Sequence, residues 1–150
     1  MKTPVGIVGF RGYSGQELIR ILSRHPHVEP VLLEHRESEP EPAPIGHPGP
    51  RRAACTAEAV KAEGLAAVFL ATPHDVAMEL SPVMLSAGAK VVDLSAAFRL
   101  ETGENYQRWY KEPHTQPELL KEAVYSIPEF RRAKAAGAKL ISNPGCYPTA

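Results

Sequence analysis

The chain has 150 residues, 43% of them hydrophobic and 23% charged, which is the balance of one globular domain with an apolar core. Its 17 basic and 17 acidic residues cancel, and the Lys and Arg residues form no stripe that would neutralise a run of phosphates, so we expect no nucleic-acid partner. The longest apolar run, residues 65–71, is too short to span a bilayer, and no signal-peptide pattern opens the chain, so we expect a cytoplasmic protein without a membrane partner.

The first part of the chain predicts a βαβ unit. An apolar strand at residues 5–10 leads through a glycine-rich turn into a helix at 16–24, and an aliphatic strand follows at 28–33. Residues 36–52 carry five prolines among acidic residues and glycines, so they predict an exposed loop without regular structure.

The middle of the chain predicts two more helix–strand pairs. A helix at residues 56–63 begins at a Thr56 cap and is followed by a strand at 67–71. The next helix, at 75–87, contains Pro82, which must bend the helix or lie near its start, and a strand follows at 90–94.

The last third continues the same alternation. Tyr106, Trp109 and Tyr110 share one helix face, where we expect the three rings to pack. Further predicted elements are a helix at 117–123, a helix at 129–136 that Gly137 ends, and a strand at 139–142. Alternating strands and helices predict an α/β fold with a Rossmann-like, doubly wound, mostly parallel sheet.

A glycine-rich turn lies between the first strand and the first helix, with the spacing G-x-x-G-x-x-G. At this place a dinucleotide pyrophosphate meets free backbone N–H groups and the positive end of the helix. A turn that merely joins strand to helix is the alternative. The candidate cofactor-binding residues of the turn are Gly9, Arg11, Gly12, Tyr13, Ser14 and Gly15.

Two residues at the end of the second strand give conflicting signals about the cofactor. Glu34 lies about twenty residues past the glycines, where an acid binds the ribose hydroxyls of NAD. Arg36 instead suits the 2′-phosphate of NADP. Either side chain is alternatively a solvated surface charge, so the residues alone leave the choice of cofactor open.

Cys146 is the candidate nucleophile. It follows a predicted strand and the turn Asn143-Pro144-Gly145, so we expect it at the carboxyl edge of the sheet, where ligands bind in open α/β folds. A helix that begins at Cys146 would lower the pKa of its thiol, and a thiolate attacks an acyl group to form a thioester. A buried structural cysteine is the alternative, and it is the role we expect for Cys55. Neither cysteine has further ligands at zinc-type spacing, so no metal site is predicted.

Five segments in order carry a resemblance to a known family: GFRGYSG at 9–15, TPHDV at 72–76, DLSAAFRL at 93–100, YSIPE at 125–129 and SNPGCYPT at 142–149. Together they resemble the N-acetyl-gamma-glutamyl-phosphate reductases of the semialdehyde dehydrogenase family. The chain departs from that family at Ala97, where the family usually has Asp, and at Asp75, where it usually has Gly. The segment after the second strand departs most, which bears on recognition of the 2′-phosphate.

The resemblance implies a reaction and roles for several residues. The implied activity is the NADPH-dependent reduction of N-acetyl-gamma-glutamyl phosphate to N-acetylglutamate 5-semialdehyde in arginine biosynthesis, with phosphate released through a thioester on Cys146. Arg99, otherwise a surface ion-pair residue, and Asn143 are then substrate or phosphate binders. The implied cofactor-binding residues beyond the glycine turn are Arg36, Ser38, Pro73 and His74, although a lone histidine such as His74 is more often solvated or packed.

The resemblance also implies parts beyond residue 150. We expect residues 1–150 to be the NADP-binding domain, and a second α+β domain to carry the general acid/base histidine and the contacts of a homo-oligomer, a dimer or tetramer. Alone, the segment should bind nucleotide weakly and turn over nothing. The alternatives are a related reductase of aspartyl or carrier-linked aminoadipyl phosphate, and a non-catalytic nucleotide-binding module.

Overall fold

The computed structural model describes residues 1–35 and 49–150, which form seven strands and seven helices. The strands are β1 (Thr3–Val8), β2 (Val28–Glu34), β3 (Arg51–Ala54), β4 (Ala67–Leu70), β5 (Lys90–Asp93), β6 (Val124–Tyr125) and β7 (Leu140–Ser142). The helices are α1 (Tyr13–Ser23), α2 (Ala57–Ala62), α3 (His74–Ser86), α4 (Gly103–Tyr110), α5 (Pro117–Glu122), α6 (Pro128–Gly137) and α7 (Cys146–Thr149).

The seven strands form one sheet in the order β3-β2-β1-β4-β5-β7-β6, and every neighbouring pair is parallel. The chain moves outward from β1 to β3, then returns to place β4 on the other side of β1. A crevice therefore opens above the carboxyl ends of β1 and β4, where open α/β sheets bind ligands. This topology confirms the predicted Rossmann-like, doubly wound sheet.

Both faces of the central strands are buried. Val8, Leu33 and Leu70 belong to the larger apolar cluster, which also contains residues of α2 and α3. Ile7 and Leu32 point to the opposite face and pack under α1. Because both faces are covered, the central strands are apolar without alternation, which is the pattern of parallel sheets.

The boundaries of the first βαβ unit differ from the prediction. β1 ends at Val8 instead of residue 10, because Gly9 adopts a φ of +77° and turns the chain out of the sheet. α1 begins at Tyr13, three residues earlier than expected. The predicted Thr56 cap is confirmed, since the N–H of Ala59 donates to Thr56 Oγ1 at 3.2 Å.

Two strands were not predicted. Arg51 and Arg52 begin β3, so the end of the predicted loop at 36–52 is wrong, while residues 36–48 lie outside the described residues. β3 is an edge strand without apolar alternation in its sequence, and β6 has only two residues. Both segments become strands because they pair with neighbouring strands, and the local sequence has no pattern that predicts this pairing.

Three details of the helices bear on the predictions. Pro82 lies inside α3, which leaves the predicted bend of the two alternatives given for it. Tyr106 is buried, as the packing prediction required, but Trp109 is 68% exposed and Tyr110 37% exposed, so that prediction is wrong for Trp109. α6 ends at Gly137, which is its last residue. No helix among the described residues has the length and apolar character needed to cross a membrane.

Candidate functional site

A cleft of about 300 Å³ lies where the strand order reverses. Gly9, Arg11 and Gly12 line it from the turn after β1, while Thr72 and Pro73 line it from the segment after β4. The predicted glycine turn therefore lies at the ligand-binding edge of the sheet.

The three glycines of the turn have different physical roles. A Cβ on Gly9 would lie 2.1 Å from the carbonyl oxygen of Ala71, and one on Gly15 would lie 2.4 Å from the carbonyl oxygen of Gly9. These two glycines let strand, turn and helix pack closely. A Cβ on Gly12 would meet nothing nearer than 3.5 Å, so Gly12 leaves open space for a ligand beside the backbone.

The start of α1 presents free backbone donors to this space. Gly12 is the N-cap residue, and no side chain caps the helix. Tyr13 and Ser14 are exposed in its first turn, whereas Gly15 is buried against the turn. Gln16 Nε2 donates to the carbonyl of Phe10 at 2.8 Å and braces the turn. Uncapped N–H groups at the positive end of a helix fit the pyrophosphate of a dinucleotide.

Two arginines converge on one carboxylate at the end of β2. Glu34 Oε1 lies 3.1 Å from Nη1 of Arg52 and 3.6 Å from Nη2 of Arg11. Both guanidinium groups also lie over the ring of Phe10, at 4.7 Å for Arg11 and 5.6 Å for Arg52. The sequence analysis missed Arg52, because it was assigned to an irregular loop. The predicted residues Arg36 and Ser38 lie outside the described residues.

His74 begins α3, and its side chain lies against Glu112 and Tyr110. Nε2 of His74 lies 3.6 Å from Glu112 Oε2, and its ring is 5.9 Å from that of Tyr110. Pro73, the N-cap residue of α3, lines the cleft. The His74 side chain is therefore not among those that line the cleft.

Cys146 is exposed and is the first residue of α7, so the helix begins at the position that the sequence analysis considered. Gly145 is the N-cap residue, and its carbonyl accepts hydrogen bonds from the N–H of Thr149 at 3.2 Å and from Thr149 Oγ1 at 2.9 Å. The turn before Cys146 joins β5, because the N–H of Asn143 donates to the carbonyl of Asp93 at 2.8 Å.

Arg99 connects the two strand ends beneath the cysteine turn. Its Nε donates to the carbonyl of Asn143 at 3.0 Å, and its Nη2 donates to the carbonyl of Leu94 at 2.9 Å. Nη1 lies 2.9 Å from where a Cβ on Gly145 would be, so it faces the turn that carries Cys146. A guanidinium has five N–H donors, and within the described part of the chain these two bonds leave three of them unused.

Asp93 is a buried carboxylic acid beside this arginine. It accepts hydrogen bonds from the N–H of Ser95 and from Ser95 Oγ, each at 2.9 Å. Burial raises the pKa of the Asp93 carboxyl, while the bonds from Ser95 and the positive charge of Arg99 oppose that rise. The acid therefore helps to order the segment that leads to Arg99.

The other cysteine lies in a different environment. Burial, together with the charge of Glu79, raises the pKa of the Cys55 thiol to about 11, which agrees with the structural role expected for it. Among the residues the structure describes, no three His, Cys, Asp or Glu side chains cluster in a way that would hold a metal ion.

Comparison with known proteins gives one family. The family model described as "Semialdehyde dehydrogenase, NAD binding domain" matches residues 4–138. The chain is 46% identical over 150 residues to the N-acetyl-gamma-glutamyl-phosphate reductase of Thiobacillus denitrificans, covering 97% of this chain and 44% of that protein. It is 47% identical to the protein of the same name from Citrifermentans bemidjiense, over 97% of this chain and 43% of that protein. The chain thus spans less than half the length of these relatives.

Solved structures share the fold at low sequence identity. The aspartate semialdehyde dehydrogenase II of Vibrio cholerae, complexed with ASA, superposes with a TM-score of 0.66 at 17% identity, covering 98% of this chain and 43% of that one. The aspartate semialdehyde dehydrogenase of Candida albicans, solved with NADP, superposes with a TM-score of 0.57 at 20% identity, covering 95% of this chain and 42% of that one.

Proposed function

Since this chain belongs to the semialdehyde dehydrogenase family, whose NAD-binding domain it matches over residues 4–138, we propose that it is the nucleotide-binding part of an NADPH-dependent N-acetyl-gamma-glutamyl-phosphate reductase. The observation that carries the proposal is the exposed Cys146 at the first position of α7, beside the free N–H groups of Arg99. Relatives with that name, 46% and 47% identical over nearly the whole chain, support the choice of substrate.

The first chemical step forms a thioester. The sulfur of Cys146 attacks the acyl carbon of N-acetyl-gamma-glutamyl phosphate, a C–S bond forms, and the bond from that carbon to the phosphate oxygen breaks. Phosphate leaves with the electron pair of that bond. Arg99 favours this step, because the N–H groups left by its bonds to Leu94 and Asn143 stabilise the charge that grows on the departing phosphate.

The second step needs the dinucleotide, and the cleft supplies its position. A nicotinamide bound in the cleft would supply the hydride that reduces the thioester carbon, and the sulfur of Cys146 would leave with the electron pair of the C–S bond to release the semialdehyde. Gly12 and the first turn of α1 would hold the pyrophosphate, and Pro73 lines the cleft on the side of β4. Arg36 and Ser38, which follow β2 in the sequence, belong to the proposed recognition of NADP.

The rest of the proposed enzyme follows from the length of its relatives. Since they are more than twice as long as this chain, we place the general acid/base histidine and the contacts of a homodimer or homotetramer in a second domain. The proposed enzyme is cytoplasmic and acts on a small-molecule substrate in arginine biosynthesis.

The direct test follows the reverse reaction in the full-length protein. NADPH absorbance is recorded while N-acetylglutamate semialdehyde is oxidised in the presence of phosphate, with NADP and NAD compared. We expect the unmodified protein and the Cys55→Ser variant to be active with NADP, and the Cys146→Ser variant to be inactive. If aspartate semialdehyde is oxidised faster than N-acetylglutamate semialdehyde, the related reductase of aspartyl phosphate becomes the better assignment. If neither aldehyde is oxidised, the proposal that the protein is a semialdehyde dehydrogenase is rejected.

A further inference from the structure

We propose that Arg52 is a specificity-determining residue of the nucleotide cleft. Together with Arg11 it neutralises Glu34 and makes the ribose end of the cleft accept a 2′-phosphate. This inference rests on the proposed function, because it requires a nicotinamide dinucleotide in the cleft. The observation that carries it is the convergence of Arg11 and Arg52 on Glu34 Oε1, at 3.6 and 3.1 Å.

Glu34 occupies the position at which an acidic residue selects NAD. A free carboxylate at the end of the second strand accepts hydrogen bonds from the ribose hydroxyls and repels a 2′-phosphate. In this protein Arg52 already donates to that carboxylate, and a second guanidinium lies within ion-pair distance of it. Among the described residues, two guanidinium charges against the Glu34 carboxylate leave one positive charge at this end of β2, which favours a phosphate over a hydroxyl.

Arg52 is fixed in place by three features. β3 pairs with β2 so that Arg52 lies opposite Leu32, and the side chains of Leu32 and Glu34 share one face of the sheet. The guanidinium of Arg52 also covers the Phe10 ring, which lines the cleft. Among the described residues it makes one hydrogen bond, to Glu34, and its side chain is 36% exposed. The guanidinium of Arg52 is therefore oriented beside Phe10, next to the residues that line the cleft.

The neighbouring Arg51 provides a matched control. It has the same charge on the same strand, but adjacent residues of a strand point to opposite faces. Its guanidinium pairs with Glu29 and Glu63 instead of Glu34. Arg51→Gln therefore removes the same net charge from the protein without touching the cleft.

The test measures nucleotide binding by calorimetry, independently of turnover. Arg52→Gln, Arg51→Gln and the unmodified full-length protein are titrated with NADP, NAD and adenosine 2′,5′-bisphosphate, which carries the 2′-phosphate without nicotinamide. We expect Arg52→Gln to weaken the binding of NADP and of the bisphosphate at least about tenfold, as for the loss of one charge-assisted hydrogen bond. The affinity for NAD should change by less than about twofold. Arg51→Gln should leave all three within about twofold.

Two further variants keep the test decisive if Arg52→Gln weakens the fold. Glu34→Gln removes the repelling carboxylate, so we expect tighter binding of NADP and weaker binding of NAD. Arg52→Lys keeps the charge but loses the planar group over Phe10, so we expect an intermediate loss for NADP. Equal losses of NADP and NAD in Arg52→Gln, or an unchanged NADP affinity, would overturn the inference and leave the proposed function standing. An unmodified protein that binds neither dinucleotide would overturn both.

Discussion

At the scale of single residues, the two cysteines differ in the surroundings that govern thiol chemistry. Cys146 is exposed at the first position of α7, whereas Cys55 packs partly against the larger apolar cluster. Burial and the charge of Glu79 raise the pKa of Cys55 to about 11, so its thiol is almost entirely protonated at pH 7.5. Since the reactive form is the thiolate, Cys55 should react slowly, whereas Cys146 is open to reagents in solution.

We predict that an alkylating reagent distinguishes them. With iodoacetamide at pH 7.5, the peptide that contains Cys146 should be modified at least about tenfold faster than the peptide that contains Cys55, as followed by mass spectrometry. Cys55→Ser should leave the fast phase intact, and Cys146→Ser should remove it. Two equally slow thiols would favour a non-catalytic nucleotide-binding module.

His114 is a second residue whose environment has a measurable consequence. Its Nε2 lies 2.8 Å from the carbonyl of Ala97, its Nδ1 accepts from the N–H of Gln116 at 3.0 Å, and its ring packs edge-on against Phe98 and Tyr106. Acceptance at Nδ1 requires the neutral ring. Burial lowers the pKa of His114, and the bond to Ala97 opposes that shift only in part.

The sign of the resulting pH dependence is fixed by linkage. A histidine whose pKa is lower in the folded state binds fewer protons there than in the unfolded chain, so its contribution is present above about pH 6.5 and is lost as the pH falls. We therefore predict that the free energy of unfolding in urea decreases between pH 7 and pH 5, and that His114→Gln makes this decrease smaller. The exposed His27, changed to Gln, serves as the control. Parallel pH profiles for the unmodified protein and His114→Gln would contradict the prediction.

Residue-level predictions from sequence were possible where a local pattern existed. Cys146 and Arg99 lie in distinctive segments, and the structure brings them to one turn. Arg52 and His114 lie in segments without such a pattern. Arg52 acquires its place from the pairing of β3 with β2, and His114 from packing under α4, so only long-range structure reveals either one.

At the scale of elements, the turn between β1 and α1, residues 9–15, contains two glycines that the packing requires and one that it does not. Gly9 and Gly15 are required by close backbone contacts, and Gly12 faces open space. The spacing alone predicted a turn with three glycines but not which of them the fold itself needs. That distinction depends on the position of Ala71 on the neighbouring strand end.

Substitutions in this turn should divide in the same way. Gly9→Ala places a Cβ against the Ala71 carbonyl at a φ of +77°, so we expect the free energy of unfolding to fall by about 3 kcal/mol or more. Gly12→Ser supplies a good N-cap, so it should change the stability by less than about 1 kcal/mol. The same serine takes one N–H of α1 and fills the open space, so we expect at least about tenfold weaker NADP binding. Unaltered NADP affinity in Gly12→Ser would exclude this turn as the pyrophosphate site.

At the scale of the whole molecule, the hydrophobic pattern was sufficient for the fold class. Apolar runs of four to seven residues separated by helices are compatible with few arrangements other than a parallel sheet, and the seven-stranded sheet is parallel throughout. The pattern could not place β7 between β5 and β6, because β6 is a two-residue strand whose existence depends on its neighbour. Because β7 pairs with β5, the turn that carries Cys146 lies beside the end of β5, where Arg99 bonds to the carbonyl of Asn143.

The central claim is that Cys146 carries the acyl group during reduction, and a trapping experiment tests it most directly. The full-length protein is mixed with N-acetylglutamate semialdehyde and NADP in the absence of phosphate, and the products are examined by absorbance and mass spectrometry. We predict a burst of about one NADPH per active site, accompanied by the mass of one N-acetylglutamyl group on the peptide that contains Cys146. Adding phosphate should remove the acyl group and turn the burst into continuous NADPH formation, and Cys146→Ser should show neither the burst nor the acyl group. A burst without acylation of Cys146, or acylation at another residue, would contradict the account.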